Sequence, residues 1–542
     1  MRTILILCLS ILFLPLTLAA EGLTVTGGEE NTDYSYADNV YTVLTETALT
    51  FSGTTTDRIV IAEGITADIT LNNLSIDVSA ITNAAAIRLE KKVKLTLHIA
   101  GTESTLKSGR NAAGIGVSDG CNLHITAESE MPKLTVYGGN SRYESFSSAG
   151  IGSNLSEEGK ASIRISNGTI SATGGTHVDY RNSGDGIGQS GDRKLEVAII
   201  FDGGEITAKG GSEPWAGSAG YGINGNVTIN SGIFTNCTIL NIIKFNSGVF
   251  TSCTILNIIK FDDTNCTFTD CILNFKKPAT LTKDYSGCTF SGDITIKGGT
   301  YTNCKLNNII SFDDTNCTFA NCNLSFKNPA TLTKDYSGCI FNNNITIASG
   351  NYTNCTLKDN ITINDGTFTN CPISGIKAII NKGTINNTDG SRITSDEIII
   401  NGGNIKITIP KRENGTGIHS IETKKLIIYG GNIFIEGQSY VTNSDNGKNQ
   451  GGNAINAITS VEIYGGTINL LGGGRQKSSG HFNSGPGFAI NSPKIIIDGG
   501  SLYAKCGSPW TVFPFKESTI KNQNNTDIYL GITLEIANAT DV

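Results

Sequence analysis

Phe261-Asp262-Asp263-Thr264-Asn265-Cys266-Thr267-Phe268 returns 51 residues later as Phe312-Asp313-Asp314-Thr315-Asn316-Cys317-Thr318-Phe319. The segment Lys277 to Cys288 returns likewise, ending in Cys339, with Lys277 replaced by Asn328. Around these copies run cysteines at 237, 253, 271, 288, 304, 322, 339, 355 and 371, in steps of 16, 18, 17, 16, 18, 17, 16 and 16. The duplicated block therefore spans three such steps. A fixed period of this kind marks a solenoid, in which each step is one turn stacked on the last. Three turns of stacked strands lengthen such a coil by about 14 Å.

Working outward, a second period flanks the first. Gly114-Ile115, Gly150-Ile151, Gly186-Ile187 and Gly222-Ile223 are 36 residues apart, and Ala86-Ile87 lies 28 before the first. Gly-Gly corners at 402–403, 430–431, 465–466 and 499–500 each follow one Ile-rich strand and precede another. Removing a loop from one of these longer turns leaves roughly 17 residues, the cysteine step. The fold class predicted is therefore all-β, a single elongated parallel β-helix with turns of about 17 residues plus inserted loops. Short strands between Leu23 and Ser79 are expected to cap the first turn. The organisation expected is 1–20 as a signal segment, 21–232 as β-helix with loop insertions, 233–376 as loop-poor cysteine-rich repeats, and 377–542 as a C-terminal β-helix.

Composition agrees with an extended β body. Charged residues are 16% of the 542-residue chain, which has 64 glycines and only 11 prolines. Val/Ile/Thr alternations punctuated by Gly, Asn and Asp recur throughout, with no long helical periodicity. A net charge of −7 spread over this length points away from nucleic acid as a partner. Arg2, the apolar run Ile4 to Leu14, and Ala19-Ala20 form the pattern of a secretory signal. No later stretch is apolar enough to span a bilayer. Export to the extracellular space or cell surface follows as an expectation.

Fourteen cysteines, one of them Cys8 in the signal segment, suggest disulfides in an exported protein. Stacking argues otherwise. Equivalent positions on adjacent parallel strands lie about 4.8 Å apart, whereas bridged Cβ atoms lie about 3.8 Å apart. The cysteines are expected to form a reduced, inward-facing ladder that fills space as small apolar side chains. They have no zinc-type spacing.

The inserted loops leave the turn at one place, so they should project as a row along one edge, the usual binding face of a solenoid. Candidate ligand-binding residues in that row are Arg142, Tyr143, His177, Tyr180, Arg181, Trp215, Tyr440, Arg475, His481 and Phe482. Trp215 and Trp510 follow matching Asp-Gly-Gly units. An exposed Trp offers an apolar face for a sugar ring and an N–H for a hydroxyl; the plainer alternative is that each covers its own loop. The doubled aspartates Asp262-Asp263 and Asp313-Asp314 are the nearest approach to a catalytic carboxylate pair. Repeated corner aspartates more commonly bond their own turn backbone. His124, in Leu123-His124-Ile125, has the place of an outward strand residue. No nucleophile elbow, phosphate loop or zinc signature occurs, so no catalytic residue is assigned.

The Ile-x-Ile-x-Gly-Gly-x-Ile-x-Ile units, clearest from Ile398 to Lys505, resemble the bacterial secreted carbohydrate-binding-domain proteins of parallel β-helix type. The segment Leu23 to Ile233 resembles the Ala-Gly-Ile-Gly repeats of bacterial adhesin-like surface proteins. The first resemblance implies binding of acidic plant polysaccharides and calcium. The Asp-Gly-Ile-Asp turns of that family stand here as Thr416-Gly417-Ile418-His419, Asn453-Ala454-Ile455-Asn456 and Phe488-Ala489-Ile490-Asn491, which puts calcium in question. The function expected is a secreted or cell-surface protein that binds a polysaccharide or a host or cell-wall glycan through the loop row. The alternatives are a β-helical polysaccharide lyase or hydrolase, and a purely structural surface stalk.

Overall fold

The computed structural model describes residues 22–127, 131–142, 146–154, 156–178, 182–212, 218–413, 417–442, 451–477, 486–507, 515–516, 519–522 and 528–531. The chain divides into two compact units, Met1–Lys244 and Phe245–Val542. The cysteine-rich repeats from Cys253 onward share the second unit with the C-terminal turns.

In the first unit the Gly-Ile repeat becomes a column of parallel pairs. Ile115 pairs Ile151, Ile151 pairs Ile187, and Ile187 pairs Ile223. A second column aligns Ile125, Ile165, Phe201 and Ile229. A third aligns Leu134, Ile170, Ile206 and Phe234. All of these side chains are buried at 1% exposure or less, because strand alternation sends every second residue inward. This is a parallel β-helix, with a core that forms only between turns. Gly204 turns one corner at φ +87°, and a Cβ there would lie 2.9 Å from the Gly168 carbonyl oxygen. A Cβ at Gly150 would lie 2.6 Å from the Gly186 oxygen, so the Gly-Ile strands are glycine-bound by close stacking.

The first turn is closed by antiparallel pairing. Strand Gly22–Thr26 runs antiparallel to Leu49–Thr55, and Tyr34–Ala37 pairs Val40–Val43 in a hairpin. The expected cap is present, and it works by reversing strand direction.

In the second unit every ladder cysteine has an aromatic residue three positions before it. Phe250, Phe268, Tyr285, Tyr301, Phe319, Tyr336, Tyr352 and Phe368 stack ring on ring, with successive centroids 4.9, 6.0, 5.6, 4.9, 5.9, 5.4 and 4.8 Å apart. Their interplanar angles lie between 11° and 26°. All the described cysteines are buried free thiols. They do more than fill space. Cys271 Sγ donates to the Thr269 oxygen at 3.2 Å and to the Phe250 oxygen of the preceding turn at 3.4 Å, and Cys304, Cys322, Cys355 and Cys371 repeat the arrangement. Burial, reinforced by the neighbouring aspartates, pushes the thiols of Cys266 and Cys317 up to about 12 and about 11. Both stay protonated at neutral pH.

The doubled aspartates divide their work. Asp262 bonds its own turn, accepting from the Thr264 amide and hydroxyl, and Asp313 does the same with Thr315. Asp263 instead reaches the next turn. It is 3% exposed and accepts from the Thr282 amide, the Thr282 hydroxyl and the Tyr285 hydroxyl, each at 2.7 Å. Asp314 repeats this with Thr333 and Tyr336. The expectation of own-turn bonding therefore holds for one aspartate of each pair and fails for the other.

The Gly-Gly turns continue the same coil. Ile398, Leu426, Val461, Ile495 and Ile520 align in one column. Outside the coil, three short loop strands form a separate parallel sheet: Arg412–Glu413, Tyr440–Thr442 and Arg475–Lys477.

Candidate functional site

The loops of the first unit stack on one another at the 36-residue period. The Thr176 amide donates to Asn140 Oδ1 at 2.8 Å, and the Ser212 amide donates to Thr176 Oγ1 at 3.0 Å. Ser141 and His177 form a parallel bridge between loops. Here a row of loops exists, tied rung to rung by short polar side chains.

His177 does not point outward from this row. Its side chain is fully buried, and its amide donates to Ser183 Oγ at 3.0 Å. The bridge to Ser141 draws the residue inward, so it supports the loop instead of meeting a ligand. Arg142, one position after the bridge, is exposed. Tyr143, Tyr180, Arg181 and Trp215, with His481, Phe482 and Trp510 of the second unit, lie outside the described residues.

Beside this loop stack opens a groove of about 550 Å³ whose walls include Lys107, Arg110, Tyr137, Asn140, Arg142 and Thr176. Two consecutive loops and the strand ends beneath them build it. Lys107 Nζ lies 3.2 Å from Asp77 Oδ2, and Asp77 is held below the usual carboxylate range chiefly by the Ser79 hydroxyl. Arg110 and Arg142 are exposed and make no ion pair with any described residue. Two guanidiniums thus face the groove beside Tyr137, which is 39% exposed. Arg110 and Lys107 carried no sequence signal of their own, because the groove is defined by stacking across turns.

In the second unit the loop sheet places Arg412 opposite Tyr440 and Tyr440 opposite Arg475. The predicted pair Tyr440 and Arg475 therefore occupies adjacent register positions, and Arg412 extends it to a column of three. A further aromatic surface lies at the Gly-Gly corners. Tyr429 and Tyr464 each precede a Gly-Gly corner, are 53% and 38% exposed, and stack at 5.3 Å and 16°. Tyr464 donates to Glu462, which also pairs Lys425 at 3.2 Å.

His124 is an outward strand residue with Nε2 2.8 Å from Ser166 Oγ on a neighbouring turn, and burial keeps its pKa below the ordinary imidazole value. Among the described residues no three His, Cys, Asp or Glu side chains are placed to hold a metal ion. Two of the side chains in the turns compared with Asp-Gly-Ile-Asp are engaged within the coil, which does not suit calcium there. His419 Nδ1 accepts the Asn453 amide at 2.9 Å, and Asn456 Oδ1 already accepts from Asn491 at 2.6 Å. No helix among the described residues is long and apolar enough to cross a membrane. Compared with known proteins, the chain matches no family model, no curated protein and no solved structure.

Proposed function

We propose that this chain is an exported glycan-binding β-helix, of a secreted or cell-surface kind, and that its principal ligand is an acidic polysaccharide held along the loop edge of the first unit. The observation that carries this is the groove of about 550 Å³ in which Arg110 and Arg142 stand without an acidic partner among the described residues, beside Tyr137 and Lys107. A guanidinium fork suits a carboxylate or sulfate, and a partly exposed aromatic face suits a sugar ring. The groove's volume falls in the range of ordinary ligand sites, about 300–1,000 Å³. An open groove between stacked loops also suits a chain better than a small molecule. The Arg412–Tyr440–Arg475 register column offers the same residue chemistry in the second unit.

The test is binding of polygalacturonate and a neutral glycan panel to the full chain, with release of unsaturated or reducing-end products followed in parallel. Binding without product is the expected result. Product formation would make the chain a lyase or hydrolase, and silence in both assays would leave a structural stalk.

A further inference from the structure

A second groove, of about 330 Å³, lies in the second unit, within the cysteine-rich turns that sequence alone presents as a bare spacer. It follows the corner where consecutive turns carry Lys327 and Asn328, then Asn343 and Asn344, then Asp359 and Asn360, then Ile376. Asn343 and Asp359 turn this corner in left-handed backbone, at φ 74° and 75°. The strand register slips between Lys358 and Asn360. Such bulges bend a strand and re-aim its side chains, which hollows the corner.

The chemistry of the walls is specific. Asn360 Nδ2 donates to Asn344 Oδ1 at 2.8 Å, Asn328 Nδ2 to the Ile310 carbonyl at 2.7 Å, and Asn343 Nδ2 to the Phe326 carbonyl at 2.5 Å. Each bond fixes one end of an amide. The Oδ1 atoms of Asn328, Asn343 and Asn360 and the Nδ2 group of Asn344 bond no described residue. Three oriented acceptors and one donor remain for a ligand, an arrangement that matches hydroxyl groups, which both donate and accept. Ile376, 59% exposed, adds an apolar surface for the C–H face of a ring. An anion does not suit this groove: Lys327 is neutralised by Asp293 at 2.9 Å, and the Asp359 carboxylate lines the wall.

We infer that this asparagine-lined corner is a second carbohydrate subsite, selective for neutral, hydroxyl-rich sugars and independent of the cationic groove. The inference rests on the glycan-binding reading and divides its specificity between two units. The volume accommodates one or two sugar rings, so binding is weak for each copy and gains strength on a polymer.

The experiment titrates the full chain with maltohexaose, xylohexaose and cellohexaose, and separately with polygalacturonate, for the wild type and three variants. The expected result is that at least one neutral hexasaccharide binds. N344A/N360A and I376S should each weaken that binding at least tenfold and leave polygalacturonate binding unchanged, and R110A/R142A should do the reverse. Because Asn344, Asn360 and Ile376 are all exposed, retained far-UV circular dichroism verifies that the variants fold. Polygalacturonate binding with no neutral ligand would overturn this subsite alone and keep the glycan reading. Neutral binding abolished by R110A/R142A, or untouched by the corner variants, would also overturn it. Silence toward every glycan would overturn both.

Discussion

Asp263 should be one of the costliest surface-adjacent residues to remove, because it ties one turn to the next. It is 3% exposed and accepts three hydrogen bonds at 2.7 Å, two from Thr282 and one from Tyr285. In Asp263→Ala the Thr282 groups, on an exposed residue, can turn to water. The Tyr285 hydroxyl cannot, since Tyr285 is itself 3% exposed. A buried donor left without an acceptor costs about 1–3 kcal/mol, and the lost charge-assisted bonds add to this, so the total should be about 3 kcal/mol. Tyr285→Phe removes only one donor and should cost about 1.5 kcal/mol. The double variant should cost clearly less than the two singles together, because no stranded hydroxyl remains. Asp314 supplies an internal control: its bonds to Thr333 and Tyr336 are 2.6, 2.8 and 3.0 Å, so Asp314→Ala should match within about 1 kcal/mol. Urea unfolding gives the global change, and native-state hydrogen exchange at the Thr282 amide gives the local one. An unchanged unfolding midpoint together with retained Thr282 protection in Asp263→Ala would refute the cross-turn tie.

Other outcomes follow from the same structure. Asp185 is 1% exposed, and burial raises its pKa from 3.8 to about 7 against the opposing bonds from the Tyr221 amide and Asn224. The folded state then holds a proton that the unfolded state has released, so Asp185 makes stability fall as pH rises from about 4 to about 7. The loss should reach about 4 kcal/mol and be absent from D185N when unfolding is compared across that window. Intact protein should react slowly with a thiol reagent, and denatured protein should react at every cysteine, because the cysteines are buried and reduced; a native protein lacking titratable thiols after denaturation would mean disulfides. Phe268→Ala, which interrupts the ring stack between Phe250 and Tyr285, should destabilise by about 3–5 kcal/mol, read from urea unfolding.

The coil was legible because its period is written in residues that stacking itself demands. Gly114, Gly150, Gly186 and Gly222 recur because a Cβ at such a position would strike the next turn's backbone, as Gly150 shows against Gly186. The cysteine step announced the turn length, and the aromatic ring three residues earlier carried an equally regular signal that the cysteines overshadowed. What remained hidden depends on contacts between turns. Asp263 and Asp262 are adjacent and alike in sequence, yet only one points to the following turn. His177 shares its loop with exposed residues and is buried because Ser141 bridges to it. Arg110 joins Arg142 only because two turns lie side by side, and the antiparallel first strand carries no pattern that distinguishes it from a parallel one.

The most direct test of the central claim is isothermal titration of polygalacturonate into the full chain and into R110A/R142A at low and high salt. Binding should weaken with salt and fall at least tenfold in the variant, with the fold unchanged by circular dichroism. Equal affinity in wild type and variant would contradict it.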